Sequence, residues 1–215
     1  MTRGFFVTVD GPSGVGKSTT INALRRLLED QGRDVLLTTE PPRTTLGAFT
    51  RQNAGTLHGL SLACLVAAAR YEHIDTVITA AMEDGRLLIS DRYIASTLVL
   101  QRLDGVPLDF LLALNQHAPN PDLAVILTAS PDTIAERIAA AGITHRFRGD
   151  PKGPDQEVEL YAQAAELLEQ RGVDVLRVNS SAITPSAVAG RIAEAILHRR
   201  LPSVPSQALP TPRES

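Results

Sequence analysis

The chain has 215 residues, 43% of them hydrophobic, with 21 Lys and Arg against 24 Asp and Glu and a formal net charge of −3. That composition suits one compact domain with a sizeable buried core. It lacks the basic excess of a nucleic-acid- or membrane-binding surface, so neither partner is expected. The single cysteine, Cys64, excludes an intramolecular disulfide and fits a reducing cytoplasm; it lies in an apolar helical stretch and is expected to be a buried packing residue. The opening MTRGFFVTVDG holds too short an apolar run for a signal peptide, and no stretch approaches the ~18 consecutive apolar residues of a membrane span.

Phe5 to Val9, apolar with aromatic and β-branched residues, predicts a buried strand. Ile21, Leu24, Leu27 and Leu28 recur at helical spacing from Ser18 to about Asp30, and Gly32 supplies a stop. Asp34 to Thr38 reads as a second strand, followed by a turn-rich segment from Glu40 to Thr45. A long helical pattern runs from about Leu60 to Glu83 and ends at Gly85. Arg86 to Ser90 is a third strand closed by Asp91, and helices follow over Ile94 to Arg102 and Leu108 to His117. Leu123 to Leu127 is a fourth strand, and Ser130-Pro131 opens a helix to about Ala141. Gly142 to Pro154 is polar, basic and rich in glycine and proline, and reads as a loop. A helix over Gln156 to Gln170, a fifth strand over Val173 to Val178 and a last helix over Ser186 to Arg199 complete the domain, expected to span 1–200. The proline-rich residues 201–215 are expected to lack fixed structure. Strands alternating with helices imply an α/β fold, a five-stranded parallel sheet with helices on both faces. Ligands of such sheets bind at the carboxyl ends of the strands.

Gly11-Pro12-Ser13-Gly14-Val15-Gly16-Lys17-Ser18 matches GxxxxGK[ST] at every fixed position, between a strand and a helix. Glycines let backbone N–H groups curl around phosphate oxygens, and the following helix aims its positive end at the same anion. The donor site is therefore Gly11, Ser13, Gly14, Val15, Gly16, Lys17, Ser18 and Thr19. Lys17 is expected to reach the β- and γ-phosphates of ATP, and Ser18 to ligate Mg²⁺. Asp91, at the end of an apolar strand, stands where P-loop enzymes place a carboxylate for the metal or its water. Arg92 follows it into the same cleft, and Glu40 closes the second strand in the same way. Ser90-Asp91-Arg92 is not the Asp-x-x-Gly element of a P-loop switch, and no Asn-Lys-x-Asp element appears. A non-catalytic nucleotide binder is the other competing class, and the intact Lys17, Ser18 and Asp91 argue against it.

These residues, taken in order, resemble the thymidylate kinase family of P-loop nucleotide kinases. The likeness rests on the P-loop, Glu40-Pro41 with Leu46-Gly47 and Arg51, Ala68-Ala69-Arg70 with His73, and Asp91-Arg92-Tyr93 with Ser96 and Gln101. Asn120-Pro121-Asp122-Leu123, Pro131, Glu136-Arg137 and Asn179-Ser180-Ser181 extend it, so that it covers roughly residues 4–200. The resemblance implies a three-layer P-loop kinase fold with a short lid at about 142–154, and transfer of the γ-phosphoryl group of Mg-ATP to dTMP or a related monophosphate, a step of nucleotide biosynthesis. It assigns Arg51, Arg70 and Arg92 to the acceptor phosphate, a role that suits a planar, permanently charged fork. It adds Glu40, Val66 and Gln101 to the acceptor site. With no arginine among the variable P-loop positions, it places the catalytic arginine in the lid, where Arg146 and Arg148 are the candidates beside Lys152. It also implies a homodimer packed through helices around Leu62 to Val77.

Several positions depart from the family pattern. Val66 stands where a phenylalanine stacks on thymine, which removes about 1 kcal/mol of aromatic contact. Ser13 replaces an acid near the acceptor sugar, Pro42 a glycine, Thr39 an arginine, Ala69 an aspartate and Leu100 a tyrosine. The alternative function is therefore phosphorylation of a non-standard metabolite, nucleoside-like or sugar-like. A hydroxyl acceptor would need a general base, and Glu40 is the nearest candidate.

Overall fold

The structure is a computed structural model, and it describes residues 3–141 and 153–200. Within them β1 (Phe5–Asp10), β2 (Val35–Thr39), β3 (Leu87–Asp91), β4 (Leu123–Thr128) and β5 (Val175–Asn179) form one parallel sheet in the order β2-β3-β1-β4-β5. The helices are α1 (Lys17–Asp30), α2 (Thr45–Asn53), α3 (Gly59–His73), α4 (Thr79–Glu83), α5 (Ile94–Leu103), α6 (Leu108–Leu114), α7 (Pro131–Ala141), α8 (Gly153–Gln170) and α9 (Pro185–Arg200).

The two-residue period of the strands sorts their side chains onto two faces. Phe6, Leu88, Ala124 and Ile126 pack with residues of α3, α5 and α8, including Ala63, Leu98 and Tyr161. Val7, Val9, Ile89, Val125 and Leu127 pack with Leu24 and Leu28 of α1, Ile134 of α7 and Ile192 and Ile196 of α9. Both faces are covered, which is why the central strands are almost continuously apolar. The expected three-layer α/β P-loop kinase architecture is present.

The strand order places the ligand crevice. The chain leaves β1 through α1 on one face and leaves adjacent β3 through α5 on the other. Loops that diverge to opposite faces open a cleft between two strand ends. Val9 pairs with Asp91, and Asp91 with Thr39, so the P-loop and the Asp91-Arg92 turn rise side by side from that edge.

Two expectations need correction, and one helix was not foreseen. The turn-rich segment from Glu40 ends where α2 starts at Thr45, capped by Thr44, whose side chain accepts from Gly47 N at 3.3 Å. The long helix is interrupted by a π-helical turn at Ile74–Ile78, which separates α3 from α4. Cys64 is exposed, because the stripe of α3 that turns inward carries Leu62, Ala63, Ala67, Ala69, Arg70 and His73. A helix that is apolar nearly all round does not reveal from sequence which side is inner. Strand limits shift by one or two residues, as is usual for element ends. The 201–215 tail lies outside the described residues.

Gly11 turns the chain out of β1 at φ 148°, and a Cβ there would stand 2.4 Å from the Leu127 carbonyl oxygen on β4. Backbone cannot yield as a flexible side chain does, so Gly11→Ala is expected to cost about 1–3 kcal/mol. Urea denaturation should show a lower midpoint with an unchanged slope.

Candidate active site

The phosphate loop is shaped by its glycines. Gly14 and Gly16 hold φ of 76° and 98°, left-handed values that a side chain disfavours, and Gly16 then starts α1. Lys17 does not extend into solvent. It is 7% exposed, and its Nζ donates to Gly11 O at 2.7 Å and Pro12 O at 2.8 Å, so the lysine rests on its own loop. Burial, and next the charge of Arg92, lower its pKa to about 7, against the pull of Asp91, Glu157 and Asp10.

At the neighbouring strand end Ser18 Oγ donates to Asp91 Oδ2 at 3.2 Å. Asp91 Oδ1 is buried with no hydrogen-bond partner among the described residues. A hydroxyl and a carboxylate with a spare oxygen, beside a phosphate cradle, fit Mg²⁺, which takes oxygen ligands, keeps waters and needs only one or two protein groups. Among the described residues no cluster of three His, Cys, Asp or Glu offers a closed metal cage.

Arg92 is the one non-glycine residue with positive φ among the described residues, at 75°. Its N–H donates to Val9 O at 3.0 Å, and its carbonyl accepts from Ser90 Oγ at 2.7 Å. That bend carries the guanidinium over the crevice, where Nη1 lies 3.3 Å from Ser96 Oγ and 3.4 Å from Tyr161 OH. Beneath it Asp10 is fully buried, and its Oδ1 accepts from Tyr93 N (3.0 Å), Ser96 N (3.0 Å) and Ser96 Oγ (2.6 Å). Burial raises the pKa of Asp10, and these hydrogen bonds and Arg92 oppose the rise.

The residues expected on the acceptor side fall into two groups. Arg70, Glu40 and His73 are buried together under the crevice. Arg70 donates from Nε (2.8 Å) and Nη2 (2.6 Å) to Glu40 Oε2, from Nη2 to Thr97 Oγ1 (2.7 Å) and from Nη1 to Asn115 Oδ1 (2.5 Å). Four of its five N–H donors are thereby used. The other Glu40 oxygen lies 3.3 Å from His73 Nδ1, and His73 Nε2 lies 2.6 Å from Thr38 Oγ1. Glu40 therefore has both oxygens engaged. Arg51 stands apart on α2, and its Nη1 donates to the carbonyls of Pro41 and Pro42, bracing the turn after β2. Val66 is partly buried on α3, and Gln101 is 5% exposed on α5.

On the donor side a cleft of about 660 Å³ runs from the P-loop to the start of α9, lined by Gly14, Lys17, Asp91, Arg92, Arg137 and Ile183 among others. Arg137 reaches from α7 to Val15 O (3.1 Å) and Ser180 O (3.0 Å), tying the loop to the end of β5. Arg146, Arg148 and Lys152 lie outside the described residues. Sequence reasoning missed Asp10, Tyr161, Asn115 and Glu157. Asp10 had a signal, an acid closing a strand just as Asp91 does. Glu157 had none: it is one acid among several on α8, and it meets the P-loop only in the fold, where Ser13 N donates to its Oε1 at 3.3 Å.

The model for the thymidylate kinase family matches residues 9–183, from the end of β1 to the loop before α9. The chain belongs to the thymidylate kinase family. A probable thymidylate kinase of Pyrococcus abyssi is 37% identical over 153 residues, 67% of this chain and 75% of its own. That of Pyrococcus horikoshii is 34% identical over 190 residues, 81% of this chain and 89% of its own. A thymidylate kinase of Xanthomonas campestris is 38% identical over 141 residues, 65% of this chain and 62% of its own. The chain is accordingly a P-loop kinase, a nucleotide-binding transferase of the nucleoside monophosphate kinase type. No helix among the described residues is long and apolar enough to cross a membrane.

Two measurements follow from this geometry. Lys17, resting on its own loop, has a pKa of about 7, and the charge of a triphosphate beside it would raise that pKa. Calorimetry of ATP binding in buffers of different ionisation enthalpy should then show proton uptake at pH 8 that fades toward pH 6, and Lys17→Ala should abolish it. Glu40→Ala leaves the Arg70 guanidinium buried without its carboxylate and should cost about 3–5 kcal/mol in chemical denaturation. An added Arg70→Met should recover part of that loss.

Proposed function

We propose that the protein transfers the γ-phosphoryl group of Mg-ATP to the phosphate of thymidylate or a closely related nucleoside monophosphate. The observation that carries this reading is the meeting of two cations. Lys17, from the donor loop, and Arg92, from the neighbouring strand end, line one crevice, and the charge of Arg92 lowers the pKa of Lys17. Two cations lining one crevice favour an anion between them, and a kinase of this type puts two phosphates there. The name printed for its relatives, thymidylate kinase, supports the choice of acceptor.

Lys17 exchanges the Gly11 and Pro12 carbonyls for the β- and γ-phosphate oxygens. Ser18 and Asp91 would hold Mg²⁺, which would supply charge neutralisation at the donor phosphates. Arg92, fixed by Ser96 and Tyr161, presents the acceptor phosphate in line, and Arg51 adds charge from the rim. Arg70, locked against Glu40, faces the acceptor's body with Gln101 and Val66. Arg146 and Arg148 are the proposed source of further positive charge over the transferring group. Positioning and charge neutralisation then suffice, because an attacking phosphate oxygen is already anionic. The engagement of both Glu40 oxygens supports this, since a hydroxyl acceptor would require a free base.

The test is ATP turnover against all nucleoside monophosphates, the unphosphorylated nucleosides and sugar-like alcohols. Thymidylate is expected to be the best acceptor, with Lys17→Ala lowering kcat by about 10²–10³-fold. Turnover confined to unphosphorylated acceptors would overturn the reading.

A further inference from the structure

His73 stands in the run of residues that carries the family likeness, yet the proposed transfer gives it no task. It is buried on α3, three residues after Arg70, so both side chains lie on one face of the helix and both meet Glu40. The π-helical turn begins at the next residue, Ile74. Across it the buried positions step from His73 to Ile78, and Ala81 follows. In an unbroken α-helix, residues as far apart as His73 and Ile78 would lie about 140° apart around the axis. The wider turn is what keeps both inside, and such turns are frequent at functional sites.

Arg70 alone does not fix the Glu40 carboxylate. Its Nε and Nη2 converge on Oε2, at 2.8 and 2.6 Å, rather than taking one oxygen each. Two donors on one oxygen leave the carboxylate able to turn about its last torsion, which is broad. The contact to the other oxygen, Oε1, comes from His73 Nδ1 at 3.3 Å. A carboxylate only accepts, so Nδ1 carries the hydrogen, and the neutral ring accepts at Nε2 from the Thr38 hydroxyl at 2.6 Å. Thr38 on β2 thus sets the ring, and the ring sets the carboxylate. We propose that His73 is a positioning residue of the acceptor site, its Nδ1–H holding the Glu40 carboxylate in the plane that fixes Arg70 beneath the acceptor. This inference rests on the nucleoside monophosphate reading given above.

The test separates the two ring nitrogens. An asparagine amide nitrogen reaches the place of Nδ1, and a glutamine amide that of Nε2. His73→Asn therefore keeps the donor to Glu40, while His73→Gln keeps only the contact to Thr38. Both remove the same ring and differ from each other by a methylene. With thymidylate as acceptor, His73→Gln should raise the acceptor KM about 10-fold, the lower end of what a hydrogen bond to a charged group is worth. Its kcat and its KM for ATP should stay within about twofold of the wild type, and His73→Asn should stay within about threefold in acceptor KM, a split that marks lost acceptor binding rather than lost chemistry. Equal acceptor KM values for the two variants, or a KM for ATP raised as much as that for the acceptor, would show that His73 only fills the core and would overturn the proposal. A second measurement needs no variant: nitrogen NMR of the wild type should find His73 protonated at Nδ1, and a ring protonated at Nε2 alone would overturn the proposal however the variants fold. A wild type that turns over no nucleoside monophosphate overturns the function reading itself, and this inference with it.

Discussion

The site depends on the bonds that Asp10 makes. Its Oδ1 gathers the Tyr93 N–H, the Ser96 N–H and the Ser96 hydroxyl at the point where β1 ends and α5 begins. The residue immediately before the first of those anchors is Arg92, bent to φ 75° and tied on its other side by its own N–H to Val9 O. A left-handed residue with a long side chain costs about 1–3 kcal/mol, and hydrogen bonds to a charged acceptor are worth about 1.5–3 kcal/mol each. The bonds to Asp10 therefore outweigh the strain, and the guanidinium is aimed before any substrate arrives. Because Asp10 immediately precedes Gly11, the same carboxylate also sets where the phosphate loop starts.

The cations of the crevice are held in two different ways. Lys17 is satisfied weakly and locally, by carbonyls five and six residues back in its own loop. It can leave them for a phosphate with little rearrangement. Arg70 is satisfied strongly and from afar, by groups on β2's edge, α5 and the end of α6. Breaking that set would leave buried charge unpaired, so Arg70 is held fixed under the crevice. Fixed dipoles and charges need no reorganisation when charge shifts during reaction, which is where preorganised sites gain most.

What the sequence showed and what it hid follow from how local each feature is. The P-loop, Asp91 and Arg92 were legible because strand-end residues and a glycine loop declare their backbone geometry within a few positions. The parallel sheet was legible from alternation of elements and the continuous apolar strands. α2 was hidden by Gly47, a poor helix former; a Cβ there would stand 2.0 Å from Pro42 O, so close packing rather than propensity selects it. The outward placement of Cys64 was hidden because α3 is apolar on nearly every side. Glu157 was hidden for a different reason: its contact with Ser13 spans 144 residues and exists only once α8 is packed.

Glu40 shows how a correct local reading can still leave the chemistry open. The acid does close β2, and it does lie by the crevice, since its N–H pairs with Asp91 O at 3.0 Å. In sequence it is equivalent to Asp91, an acid at the end of an apolar strand. In the fold one of them keeps an oxygen free and the other does not. Asp91 Oδ1 is bare among the described residues, while Arg70 and His73 take both oxygens of Glu40. A carboxylate that can take up a metal ion and one that can only hold an arginine are told apart by partners 30 and 33 residues away. That difference weighs against base catalysis at Glu40. It leaves the crevice suited to an acceptor whose attacking oxygen arrives already charged.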